Sequence, residues 1–147
     1  MQRQTRQLAI TALALVVLIG AAFGVERWYA SGHEQEYRMA VTRDGKTLRT
    51  FTIEELQALG MKTVKMQGLT ESGPTLLSVL DASGVETFTA VVVTGLGARD
   101  SGRIELKRSE IDDRVLLDIA RRGTAKVCGP GIVYVRRVRD VKVVAVR

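Results

Sequence analysis

The sequence predicts an α+β protein: one compact domain of mixed β-strands with two or three short helices, preceded by a single N-terminal transmembrane helix. Three observations predict it. Runs of strand-like residues open and close the chain beyond Tyr37, and two capped helical segments lie between them. Strands and helices do not alternate regularly, as a doubly wound parallel sheet requires. The apolar residues are also unevenly spread, because Leu8 to Val25 contains no charged residue whereas Arg, Lys, Asp and Glu are scattered through the remainder.

That apolar stretch, about 18 residues long, would rise roughly 27 Å as a helix, close to the hydrocarbon thickness of a bilayer. Arg3 and Arg6 precede it without an acidic residue, which by the positive-inside tendency leaves residues 1–7 cytoplasmic and sends the rest across. Trp28 and Tyr29 follow as interfacial rings, within a polar tether over residues 26–36. Two readings of residues 8–25 stand: an uncleaved signal anchor in the membrane, or a signal segment cut after Gly24, since Ala22 and Gly24 offer small side chains to a peptidase. Either places the domain on the extracytoplasmic side, periplasmic or at the cell surface in a bacterium, and secreted if the segment is cut. Nucleic acid is excluded as a partner there.

Residues 37–147 suffice for one domain with its own core. Tyr37 to Arg43 and Lys46 to Thr50 read as strands joined by Asp44-Gly45, a pair that tolerates the positive φ angles of a type I′ turn. Thr52 then caps a helix, with Glu55 completing a capping box, Phe51 and Leu56 forming a hydrophobic staple, and Gly60 ending it. After a strand-like segment from Lys62 to Gln67, Gly73-Pro74 leads into a second helix over Thr75 to Ser83. Leu76, Val79 and Leu80 share one face of it and Gly84 stops it. The second half turns to strand: Glu86 to Gly95 is β-branched, Gly102 to Arg108 alternates, Val115 to Ala120 is apolar, and Val138 to Val146 is rich in valine. Ser109 reads as the cap of a single helical turn through Asp112.

Composition narrows the chemistry. The 147 residues are 46% hydrophobic, 26% charged and 5% aromatic, with a formal charge of +6, one Cys and one His. A disulfide, a Cys-rich zinc site and a triad built on a domain histidine are excluded. The basic run Arg136, Arg137, Arg139, Lys142 and Arg147, with Arg121 and Arg122, offers a positive face for phosphates, an acidic partner or lipid headgroups, or else a simply solvated strand face. Glu110, Asp112 and Asp113 are explained by helix capping without a metal, and Gly95-Leu96-Gly97 reads as a turn between strands. His33 falls in the tether.

The order of FTIEELQALG, GPTLLSVLDASGV, SEIDDRVLLDIA, AKVCGPG and YVRRVRDVKVV resembles the molybdopterin-binding domain of sulfite-oxidase-type oxidoreductases, over essentially all of residues 37–147. The resemblance implies that family's fold and a link to oxidoreductase chemistry. It also shows departures. Where the family holds molybdenum through a cysteine after the first helix, this chain reads Thr63-Val64-Lys65-Met66-Gln67-Gly68. Cys128 falls where the family has an apolar residue, Lys126 replaces an arginine, and the basic loop that grips the pterin phosphate is shortened between Pro130-Gly131 and Tyr134.

The expectation is therefore a pseudoenzyme: a non-catalytic binding or assembly module without molybdenum, with no catalytic or metal-ligating residue assigned and no cofactor expected. The alternative is that Lys126, Tyr134, Arg136 and Arg137 bind a pterin-type cofactor such as molybdopterin, or another anionic small molecule, within an oxidoreductase system. A third reading is an accessory envelope protein whose basic face meets lipid or an acidic protein partner.

Overall fold

The computed structural model describes residues 36–97, 102–132 and 134–144. The chain order is β1 (Met39–Arg43), β2 (Lys46–Phe51), α1 (Ile53–Ala58), β3 (Lys62–Met66), β4 (Leu69–Gly73), α2 (Leu76–Ala82), β5 (Ala90–Gly97), β6 (Arg103–Lys107), a 3₁₀ turn at Arg108–Glu110, β7 (Leu116–Ala120), β8 (Thr124–Cys128) and β9 (Val135–Val144). Seven strands form one sheet, with β2, β1, β9, β5 and β6 side by side and the β7–β8 hairpin joined to it through β9. β3 and β4 form a separate two-stranded sheet.

Local chemistry accounts for the elements. Asp44 and Gly45 take φ angles of 51° and 74°, so the hairpin closes with Arg43 opposite Lys46. The Thr52 hydroxyl accepts from Glu55 N at 3.3 Å while Glu55 Oε2 accepts from Thr52 N at 2.9 Å, closing the capping box of α1. Thr75 caps α2 by accepting from Ser78 N at 3.0 Å, and Gly84, at φ 75°, ends it. Both helices press their apolar stripe (Leu56 in α1; Leu76, Val79 and Leu80 in α2) into a core shared with Met39, Val41, Phe51, Val91, Val93, Val141 and Val143. β1 and β9 pair in parallel, with Ala40 opposite Asp140.

Two expectations need correction. The α+β class gives way to a β-rich fold, in which strands account for 52% and helices for 17% of the described residues. The reason is that the two α-helices among the described residues are only six and seven residues long, while the polar stretch Leu69–Gly73, which reads as a connection, is a strand. Leu69–Gly73 pairs with β3 around a Gln67-Gly68 turn, at φ 47° and 81°, and Thr124–Cys128 pairs with β7. The expectation of a transmembrane helix before the domain, and with it the membrane and signal-anchor assignment, is also overturned for the described residues: no helix among them is long and apolar enough to cross a membrane. A seven-residue helix rises only about 10 Å. Residues 8–25 themselves lie outside the described residues.

Strand alternation sorts the side chains of the β7–β8 hairpin onto two faces. Asp118 lies opposite Lys126 and Ala120 opposite Thr124, so these four share one face, whereas Leu117, Ala125 and Val127 are buried in the core. The β3–β4 hairpin docks on β7 at Gly73, where the two backbones meet so closely that a Cβ would lie 1.9 Å from the Leu117 carbonyl oxygen.

Candidate anion-binding cleft

The shared hairpin face and the first residues of β9 enclose a cleft of about 640 Å³. Asp118, Ala120, Thr124 and Lys126 come from the hairpin and Arg122 from its turn; Arg136 and Arg137 come from β9 and Leu96 from β5. Four cations thus face one carboxylate, with a hydroxyl and two apolar side chains between them. Among the described residues, neither Arg122 nor Arg137 has a hydrogen-bond or ion-pair partner.

Lys126 is held differently. Its ammonium donates to Glu71 Oε1 at 2.9 Å and lies 3.5 Å from Asp118 Oδ2, and all three side chains are largely shielded, at 24%, 15% and 16% exposure. Asp118 is itself fixed, because its Oδ1 accepts from Ser72 N at 2.8 Å. Burial alone would lower the Lys126 pKa, but the Glu71 hydrogen bond and the two carboxylate charges outweigh it and hold the group above the ordinary lysine value. The floor of the cleft is therefore a three-membered ion cluster tying β4 to β7 and β8.

Of the residues singled out in the sequence, Lys126, Arg136 and Arg137 line this cleft, and the Tyr134 ring stands beside it. Its centroid is 5.6 Å from the Lys126 ammonium and 5.2 Å from the Arg136 guanidinium, contacts of cation–π geometry. Arg136 also donates to the Tyr134 hydroxyl at 3.5 Å. Arg139 and Lys142 are exposed on β9 and take no part in the cleft wall; Arg147 and His33 lie outside the described residues.

The acidic cluster is consumed by pairing. Asp112 meets Arg114 at 2.6 Å, Asp113 pairs with Lys62, and Glu110 accepts from Lys107 N at 2.7 Å. Gly95-Leu96-Gly97 is not a turn but part of β5. Asp118, Thr124 and Leu96 escaped sequence reasoning, as did Glu71; the one available signal was Gly95, since glycine inside a valine-rich strand marks a bulge or a close backbone approach.

A molybdenum centre does not fit this donor set. The only thiol of the chain, Cys128, is buried and does not line the cleft. Its Sγ faces the Leu116 carbonyl at 3.9 Å, and burial pushes its pKa up to about 11, so it is a poor source of thiolate. Met66 to Gly68, where the family resemblance would place the ligand, form the exposed β3–β4 turn rather than a wall of the cleft. No family model matches the chain, and no curated protein matches it.

Proposed function

We propose that this protein is a non-catalytic binding module that holds an anionic small molecule in the cleft between the β7–β8 hairpin and β9. One observation carries the reading: Arg122, Lys126, Arg136 and Arg137 converge on a single cavity, although they come from two separate stretches of chain, the β7–β8 hairpin and β9. Guanidinium groups offer fixed forks of donors to phosphate or carboxylate oxygens. Leu96 and Ala120 give the organic part of a ligand an apolar surface to rest on. Asp118, the one carboxylate of the wall, is engaged by Lys126 and by Ser72 N, so it orients the site rather than serving as a free base.

The family resemblance adds a candidate ligand, a pterin-type cofactor whose phosphate would meet Lys126, Arg136 and Arg137. Titration of the full chain with inorganic phosphate, followed by amide NMR, tests the general reading. Shifts are expected at Arg122, Lys126, Arg136 and Arg137, weakening as salt rises from about 0.05 to 0.5 M because screening lengths shorten. Shifts that persist unchanged in R136A/R137A, or that fall elsewhere, refute it.

A further inference from the structure

Arg136 and Arg137 are neighbours in sequence, and neighbours in a regular strand point to opposite faces. Both nevertheless line the cleft. Along the β5–β9 pairing, Thr94 lies opposite Asp140 and Leu96 opposite Arg136. Gly95 alone therefore spans Arg137, Val138 and Arg139, and β9 carries two extra residues there. Such a bulge bends the strand and re-aims its side chains. Arg137 takes φ 46°, in the left-handed region that disfavours a residue bearing a side chain.

Two contacts hold this conformation. Gly95 gives the bulge room, since a Cβ there would lie 2.5 Å from the Arg136 carbonyl oxygen and 2.9 Å from that of Arg137, both backbone atoms. Tyr37 ties the bulge down from outside the hairpin, its hydroxyl donating to the Val138 carbonyl at 2.5 Å. Neither residue lines the cleft.

We infer that Tyr37 and Gly95 are positioning residues: by fixing the bulge they turn Arg136 and Arg137 to the same side and give the cleft a preference for a doubly charged anion over a singly charged one. The inference rests on the anion-binding role proposed for the cleft. Two guanidiniums presented together satisfy a dianion, whereas either alone suffices for a monoanion.

The test titrates wild type, Y37F and G95A, each as the full chain, with inorganic phosphate at pH 8 and with acetate, and records a melting temperature for each. Wild type is expected to prefer phosphate. Y37F keeps the ring and removes the tie; its phosphate affinity is expected to fall about tenfold, the equivalent of one lost charge-assisted contact, with acetate affinity nearly unchanged. G95A is expected to shift the same ratio further where it folds. A purely structural role lowers the melting temperature and leaves the phosphate-to-acetate ratio intact, so a wild-type ratio in Y37F overturns the inference while the anion-binding role stands. Failure of wild type to bind phosphate removes that role, and the inference with it.

Discussion

Substitution of Gly73 by alanine tests how the β3–β4 hairpin is fastened to the main sheet. The new Cβ would lie 1.9 Å from the Leu117 carbonyl oxygen and 2.6 Å from its carbonyl carbon. Ordinary contact begins near 3.4 Å, so the backbones must separate by about 1.5 Å. Neither can yield by rotating a side chain, because Gly73 is paired with Lys62 and Leu117 with Val127. The separation strains the bonds on either side: Leu117 N to Pro74 O at 2.9 Å, Leu76 N to Val115 O at 2.9 Å and Ser72 N to Asp118 Oδ1 at 2.8 Å. Losing two of these at about 1 kcal/mol each, with overpacking strain of about 1–3 kcal/mol, gives a destabilisation of about 3–5 kcal/mol. For a domain of this size that corresponds to a fall in melting temperature of at least roughly 12 °C. The assay is thermal and urea unfolding followed by circular dichroism, with G45A as control. Gly45 has no neighbour within 4 Å of the added Cβ and only its φ of 74° to accommodate, a cost of about 1–2 kcal/mol. If G73A loses no more stability than G45A, the close approach is not what sets the hairpin in place.

Two further outcomes concern titratable groups. Burial pushes the Tyr37 phenol from 10.0 up to about 12, so between pH 10 and 12 the unfolded chain releases this proton while the folded one retains it; stability falls as pH rises through that window, by up to about 2 kcal/mol. Lys126, whose pKa is also raised, contributes stability that is present below the ordinary lysine value and lost as pH rises through its folded value. Alkaline unfolding of Y37F should therefore be the shallower of the two, keeping only the lysine component, and an unchanged pH slope would refute the assignment to Tyr37. Cys128, held at about 11 rather than 9.0, should be alkylated by iodoacetamide at pH 8 about 100-fold more slowly than an ordinary thiol, from its thiolate fraction alone. Rapid labelling of the native protein would contradict that.

Much of the fold was legible where the chemistry is local. Asp44-Gly45, the Thr52–Glu55 box and Gly84 each act within a few residues of themselves, and the structure contains the turn, the cap and the stop they encode. What was not legible depends on distant partners. Leu69–Gly73 has the composition of a loop, and it is a strand only because β3 lies beside it and β7 receives Gly73. The pairing of β8 with β7 is set by the hairpin as a whole, and the parallel pairing of β1 with β9 joins segments about a hundred residues apart. Counting Leu69–Gly73 as a connection, and giving two short helices the weight of the strands, is what tilted the expected class toward α+β. The basic residues of the site were visible as charge, but alternation along a regular strand would have put Arg136 and Arg137 on opposite faces. Only the register shift opposite Gly95 brings them together.

The four cations of the cleft do not do the same work, and their surroundings separate them. Lys126 is already neutralised by Glu71 and Asp118 in a shielded position, and removing it would leave two part-buried carboxylates facing each other, which is costly for the fold. Its first duty is to hold β4 against the β7–β8 hairpin and so to keep the floor of the cleft level. Arg122 and Arg137 have no acidic partner among the described residues, so an anion bound as proposed would meet them without first breaking an ion pair. Arg136 stands between these cases, stacked near the Tyr134 ring yet unpaired by any carboxylate among the described residues. Affinity for an anion should accordingly reside in the arginines and rigidity in the lysine cluster.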